Sequence, residues 1–335
     1  MNLIINNYGS FLGKKSERLI VKEKGKVVQE VPFYDLTQVT VTTGGATLSS
    51  DVIRMCVEHG VQINFLSGTG QPYAKITSPQ LTATVQTRRE QLSAYNDDRG
   101  VILARAFVTG KIKNQINTLK YFSKHRKVTK IETYEQVMDR IKKIEEILRE
   151  LDQYTGNKID DLRAQFLSVE GRASSLYWEQ VALILKDKVE FPGREHRGTA
   201  DPFNAMLNYG YGILYSQVWT AITLAGLEPF AGFMHVDRPG KPSLVLDLVE
   251  EFRQPVVDRV VIAMFSKGFK VELEEDRLSA GTRKDLAERI LERLEATDNY
   301  NGKRLKLSSI IQRQARSIAT FVRGEGKYRP FVGGW

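Results

Sequence analysis

The sequence predicts an α+β fold, with a small β-rich domain over residues 1–80 followed by a larger all-α domain over 81–335. Three observations carry this expectation. Before residue 80, β-branched runs alternate with period two and break at glycine turns. From about Leu81 onward the apolar residues recur at helical spacing. The 335 residues, 41% of them apolar, leave room for two domains and a sizeable core.

Within the first part, Arg18–Val31 reads as two strands around a Lys24-Gly25 turn, a hairpin signal. Gln38–Thr43 alternates and stops at Gly44-Gly45, and Ser49 then caps a helix that Gly60 closes. Val61–Leu66 and Tyr73–Ile76 complete the set as strands around the Gly68–Pro72 turn. No catalytic constellation stands out here, so the expected role is scaffold or dimerisation.

The helical part begins with a long segment from Gln86 to Tyr121. Lys111, Lys113, Lys120, Lys124, His125, Arg126, Lys127 and Lys130 crowd one region, with Tyr121 and Phe122 among them. Two readings stand for this crowd: a solvated surface, or a phosphate-binding patch with interleaved aromatics. Ile131–Leu151 is a charged helix with Glu-Lys pairs, read as a brace. Glu170 then sits among Gly171, Ala173, Ser174 and Ser175, small residues that let another backbone or a ligand come close. If buried, it needs a partner or a metal, and Arg172 at i+2 does not face it. Lys186–Ala200 reads as a basic loop, and Asp201-Pro202 as the cap and first turn of the next helix. Along that helix Asn204, Asn208, Tyr211 and Tyr215 form a polar and aromatic stripe that either braces a core or lines a groove. Gly210 and Gly212 within it call for close packing in compensation. Pro255–Phe265, Arg283–Leu294 and a basic segment Lys303–Arg323 are further helices, and the glycine-rich tail from Gly324 is expected to be extended or loose.

The stretch with most chemistry runs from His235 to Arg253. A histidine precedes a Pro239-Gly240 turn and a short helix bearing Asp247, Glu250 and Glu251. The i, i+3 and i, i+4 spacings place the three acids on one face. Such a face is either solvated or neutralised, by Arg238 and Arg253 or by a divalent metal, for which imidazole plus carboxylates is a suitable set.

Composition narrows the partners. A net charge of +9 and a pI near 9.4 favour polyanions, nucleic acid ahead of a membrane surface. No stretch approaches the roughly 20 apolar residues of a membrane span, and the N-terminus lacks the blocks of a signal peptide. A single cysteine, Cys56, excludes an internal disulfide and a CxxC zinc site, and it reads as a buried structural thiol. The expected compartment is the cytoplasm.

Four ordered motifs then resemble one family. Ser168-Val-Glu170-Gly-Arg-Ala, Asp201–Tyr211, Pro229–His235 and Ser243–Arg253 are similar to the CRISPR-associated integrase, the larger nuclease subunit of spacer acquisition, and the likeness spans nearly the whole chain. The resemblance implies a β-domain homodimer, a helical catalytic domain and a small dimeric partner subunit. It implies Glu170, His235 and Glu250 as metal ligands, with Asp247 as an acid beside the metal. Some members carry aspartate where this chain has Glu250. Two carboxylates and an imidazole suit Mn²⁺ or Mg²⁺. DNA contacts are expected from Arg238 and Lys241 on phosphates, from Tyr177, Trp178 and Tyr211 against bases, and from Asn208 and Arg253. The expected activity is metal-dependent endonuclease and integrase chemistry, a DNA 3′-hydroxyl attacking a phosphodiester, with the reverse reaction resolving branched DNA. A transposase of the same superfamily and a non-catalytic DNA-end-binding subunit are the competing readings.

Overall fold

The computed structural model describes residues 1–78, 85–195, 201–274 and 277–334. The expected domain boundary at residue 80 and the His196-Arg197 part of the basic loop lie outside them.

The chain opens with β1 (Asn2–Ile5), β2 (Phe11–Lys15), β3 (Arg18–Glu23), β4 (Lys26–Pro32), β5 (Gln38–Val41) and β6 (Thr47–Leu48). Helix α1 (Ser50–Glu58) follows, then β7 (Gln62–Leu66) and β8 (Pro72–Ile76). They form two four-stranded sheets, ordered β1-β5-β7-β8 and β4-β3-β2-β6. The hairpin expected at Lys24-Gly25 joins β3 and β4, with Leu19 opposite Val31. Ser49 caps α1 by accepting from the Val52 N–H. Leu3, Val21, Val39, Val52 and Ile63 belong to a buried cluster between the sheets and α1. Cys56 is fully buried there, and burial pushes its thiol up to about 12, which makes it inert.

The helices are α2 (Val85–Ala94), α3 (Asp98–Ser123), α4 (Arg126–Thr129), α5 (Ile131–Arg149), α6 (Ile159–Leu185), α7 (Pro202–Leu224), α8 (Ser243–Val249) and α9 (Arg259–Ser266). After the short pair β9 (Leu273–Glu274) and β10 (Arg277–Leu278) come α10 (Ala280–Glu295), a hairpin of β11 (Thr297–Tyr300) and β12 (Lys303–Lys306), and α11 (Leu307–Val322). Parallel α3 and α6, with α5 running against them, bury Leu103, Phe107, Val137, Ile144, Phe166 and Val169 in one core. Asp201 caps α7 as expected, its carboxylate accepting from Phe203 N and Asn204 N. The expected basic helix from Lys303 is instead a strand and a helix: Lys303–Lys306 pairs with Thr297–Tyr300 before α11 begins.

The β-rich part is seated on α7 by direct backbone contact. A Cβ added to Gly212 would lie 1.8 Å from the carbonyl oxygen of Gly70, in the β7–β8 turn. Only glycine permits that approach. Gly210 is likewise pressed by Val257 and Ile290, so both helix glycines have the compensating contacts their position demands.

Candidate metal and nucleic-acid site

Four elements meet around one cavity of about 210 Å³, lined by Lys111 of α3, Glu170 of α6, His235 of the α7–α8 loop, and Asp247, Glu250 and Arg253 of the α8 region. Glu170 flanks the apolar stripe Phe166, Val169, Ala173 and Tyr177 that α6 buries, so its side chain stops at the rim of the core. Gly171 meets no other atom within 4 Å of an added Cβ. The small residues after Glu170 therefore open space for a ligand: Gly171, Ser174 and Ser175 line a second cavity of about 700 Å³ on the other side of Lys111 and Glu170.

The three acids of the motif do not all share a face: Asp247 and Glu250 line the cavity and Glu251 does not. At the end of α8 the hydrogen bonds tighten to i, i+3, with Glu250 N to Asp247 O at 3.3 Å and Glu251 N to Leu248 O at 3.3 Å. The chain then widens into a π-helical turn, Arg253–Asp258, over Pro255, which has no N–H to give. The i, i+3 tightening keeps Asp247 and Glu250 in line on the cavity and turns Glu251 away from them. Asp247 turns to the His235 loop, Glu250 into the cavity, and Glu251 toward the C-terminal tail.

Asp247 is fully buried and accepts from three consecutive backbone N–H groups, Phe233 at 2.6 Å, Met234 at 3.0 Å and His235 at 2.9 Å. It also lies 2.7 Å from His235 Nδ1. This fixes Nδ1 as the protonated nitrogen and leaves Nε2 with its lone pair. Arg238 and Lys241 extend from the same loop on a turn with Lys241 N bonded to Arg238 O at 2.9 Å. Gly240 takes φ +74° there, the left-handed position of a type II turn after Pro239. Arg238 is exposed and Lys241 half-buried, a placement open to a phosphate.

Glu250 is neutralised by two cations. Arg253 Nη2 is 3.2 Å from Oε1, and Lys111 Nζ is 2.7 Å from Oε2. Lys111 also pairs with Glu170 Oε1. Burial would push the Glu250 carboxyl up, but Arg253, Lys111 and His235 outweigh it and hold it at about 2. Burial would likewise strip the Lys111 proton, yet Glu250 and Glu170 keep the ammonium above its ordinary value. Among the described residues no three His, Cys, Asp or Glu side chains already stand around one point at ligand distance, because Lys111 fills the space between the two carboxylates. The ammonium stands in for a cation. A convergent carboxylate pair with a fixed imidazole in the same cavity fits a divalent metal.

Several expected DNA contacts are corrected. Tyr177 is fully buried and donates to Asp258 Oδ2 at 2.8 Å, so it cannot stack on a base. Tyr211 is also buried, donates to Asp258 Oδ1, and lies between Arg194 and Arg253 at 5.3 and 4.8 Å from its ring centre. Only an edge of it reaches the larger cavity. Asn208 accepts from Arg194 Nη2 at 2.6 Å and Asn204 accepts from Arg194 Nη1 at 2.9 Å, so the stripe on α7 braces the loop. Trp178 is half-buried and lines the larger cavity. Arg253 lines both cavities while tied to Glu250.

The basic crowd after Lys111 also disperses. Arg126 donates to the Phe122 and Ile184 carbonyls at 2.6 and 2.7 Å, Lys120 pairs with Glu145 at 3.4 Å, and Lys130 with Asp187 at 2.5 Å. Lys113, Lys124, His125 and Lys127 remain exposed. Sequence reasoning missed Lys111, Asp258 and Arg194 as parts of the site. Lys111 had a signal, a cation flanked by the apolar Phe107, Val108 and Ile112, and so had Asp258, amid Val256, Val257 and Val260.

Residues 3–292 match the CRISPR associated protein Cas1 family. The chain belongs to this family. It is 41% identical to a CRISPR-associated endonuclease Cas1 of Archaeoglobus fulgidus, with 100% of each chain covered. It is 35% identical to another of Francisella tularensis subsp. novicida, over 100% of this chain and 99% of the relative. Among solved structures, a casposase bound to integration product superposes with TM-score 0.81 at 22% identity, covering 99% of this chain and 93% of that one. A CAS1 protein from Thermotoga maritima gives 0.78 at 17% identity, over 100% and 99%. These likenesses establish for the Cas1 chain the α+β arrangement read from its sequence.

Proposed function

We propose that this Cas1 chain is a metal-dependent DNA endonuclease and integrase of CRISPR adaptation, with Glu170, His235 and Glu250 holding Mn²⁺ or Mg²⁺. The observation that carries the reading is convergence. Glu170 and Glu250, 80 residues apart in sequence, close on one cation position in the cavity that also receives His235. The relatives named as endonucleases support the activity. A casposase bound to integration product and a Cas6-RT-Cas1–Cas2 complex with the same fold support DNA and a small Cas2-type subunit as partners. Homodimerisation through residues 1–80 completes the proposal.

A bound divalent ion supplies charge stabilisation for the phosphodiester under attack and for the departing oxygen. The chain's own residues do the rest. Asp247 holds the His235 ring in its ligating tautomer. Arg253 stands beside Glu250, where a phosphate oxygen would approach, and Arg238 and Lys241 on the turn after His235 would meet the DNA backbone. In strand transfer a 3′-hydroxyl oxygen bonds to phosphorus while the old P–O bond breaks, and the proton passes to the released 3′-oxygen or solvent. The number of phosphodiester bonds is conserved, so positioning and charge matter more than a strong base.

The casposase likeness favours a second reading, a transposase that uses the same site on element ends. A purely end-binding subunit has no use for a convergent carboxylate pair. The test is a labelled duplex with free 3′-hydroxyls, a repeat-bearing target, Mn²⁺ or Mg²⁺ and the partner subunit. Covalent joining that disappears with dideoxy ends, and with Glu170→Gln or Glu250→Gln, is expected. Nicks that accumulate equally with blocked and free ends would make the protein a plain nuclease.

A further inference from the structure

Lys111 occupies a position that Glu170 and Glu250 both face. We propose that its ammonium is a resident counter-ion, bridging the two carboxylates in the metal-free protein and swinging out when a divalent ion enters. The inference rests on the reading of Glu170, His235 and Glu250 as the metal site.

Two carboxylates drawn together in a low-dielectric pocket repel strongly, and the folded protein needs a positive charge between them before any metal arrives. Lys111 supplies it, paired with Glu170 and 2.7 Å from Glu250 Oε2. An ammonium and a divalent cation cannot share that point. Two features give the displaced side chain a destination. Lys111 lines both cavities, so the larger one, about 700 Å³, is open to it without crossing the core. Gln115, one turn further along α3, has a fully buried Oε1 with no hydrogen-bond partner among the described residues, while its Nε2 is held 3.0 Å from Ser174 Oγ. The i, i+4 spacing puts Lys111 and Gln115 on one helix face. A buried acceptor left open beside a movable donor is the second half of a two-position switch.

The test uses the full-length protein with Mn²⁺ alone, titrated by calorimetry, and thermal melting in EDTA. Lys111→Met is expected to melt below wild type in EDTA and to bind Mn²⁺ at least about tenfold more tightly, as for a site otherwise open in about a tenth of molecules. Lys111→Arg, whose planar fork grips carboxylates in two places, is expected to bind Mn²⁺ more weakly than wild type. Gln115→Leu is expected to weaken Mn²⁺ binding in the wild-type background and to have no effect in Lys111→Met. The exposed Lys113→Met is the control for charge alone. Equal or weaker Mn²⁺ binding by Lys111→Met overturns the proposal. If that variant does not fold in EDTA, wild-type Mn²⁺ affinity in both Lys111→Arg and Gln115→Leu overturns it instead. Should neither wild type nor Lys111→Met bind Mn²⁺, the metal-site reading itself fails; should both bind equally, only the counter-ion fails.

Discussion

Asp247→Asn tests how the His235 loop is held, because the substitution keeps the volume and removes half the acceptors. The carboxylate divides its work: Oδ2 accepts from Phe233 N and Met234 N, and Oδ1 from His235 N while facing His235 Nδ1. An asparagine has one oxygen, so either orientation of its amide turns an NH₂ toward two of these groups. With the oxygen toward Phe233 and Met234, the NH₂ faces the imidazole, Nδ1 must accept, and the proton moves to Nε2, which can then no longer ligate. With the oxygen toward His235, the tautomer survives but two buried loop N–H groups lose their acceptor. Each buried donor left open costs about 1–3 kcal/mol, so the variant should lose about 2–5 kcal/mol in urea unfolding with EDTA present. Mn²⁺ affinity should fall about 10–100-fold, the usual effect of removing the group that orients a ligating histidine. Calorimetric titration with Mn²⁺ beside the unfolding curve reads both losses. Wild-type stability together with wild-type Mn²⁺ affinity would refute the assignment of Asp247 as the group that positions His235.

Two further outcomes follow from the same packing. Glu251 is fully buried, and burial pushes its carboxyl up to about 7 against the donors Tyr328 OH, Phe331 N–H and Gln314 Nε2. The folded state therefore binds the extra proton between about pH 4.5 and 7, and Glu251 costs stability as pH rises through that window. Glu251→Gln should gain about 2–3 kcal/mol on wild type between pH 5 and 7.5; a wild-type-minus-variant difference that does not vary with pH would contradict this. For the seating of the β-rich part, Gly212→Ala should cost about 3 kcal/mol or more by overpacking and expose the Ser67–Gln71 turn to hydrogen exchange. Gly171→Ala, with open space around it, should instead gain up to about 1 kcal/mol. Equal effects of the two would show that the Gly70 contact does not hold the parts together.

The elements that could be read in advance were those whose signals are local. The Lys24-Gly25 hairpin and the Ser49 and Asp201 caps follow from neighbours in sequence, while the single helical run read over Gln86–Tyr121 is broken before Asp98 into α2 and α3. The β11–β12 hairpin carried a local signal too, Asn301-Gly302 with both residues at positive φ, which the surrounding basic residues concealed. The tail, expected to be extended or loose, carries no helix or strand among the described residues after Gly326 but is tied down, for a reason its own sequence does not show. Gly324–Trp335 has no period of its own, yet Asn114 donates to Phe331 O at 2.9 Å and accepts from Gly333 N at 2.8 Å. Phe331 stacks on Phe252 with the rings 5.2 Å apart, so partners more than 70 residues away order the segment. At the site, spacing marked His235, Asp247 and Glu250, small neighbours marked Glu170, and the family resemblance implied their roles. Burial then reversed the reading of Tyr177 and Tyr211, because Asp258 supplies the partner their hydroxyls need inside a core.

The electrostatics of the acidic motif separate three roles that spacing alone runs together. All three carboxylates are buried, and each meets the cost differently. Asp247 is held by backbone N–H dipoles and the imidazole, Glu251 by neutral donors, Glu250 by two full cations. Neutral donors only partly offset burial, which is why Glu251 is pushed to about 7 while Glu250 is held near 2. The dipoles around Asp247 are fixed by backbone, so removing that carboxylate unsettles a loop. Around Glu250 the stabilising charge belongs to side chains, and one of them, Lys111, has room to move. Only a carboxylate whose counter-charge is exchangeable can accept a metal without leaving other groups unpaired. By that criterion Glu250 is the one of the three that suits the proposed metal site. In succession the three acids hold the His235 loop, face two side-chain cations and anchor the tail.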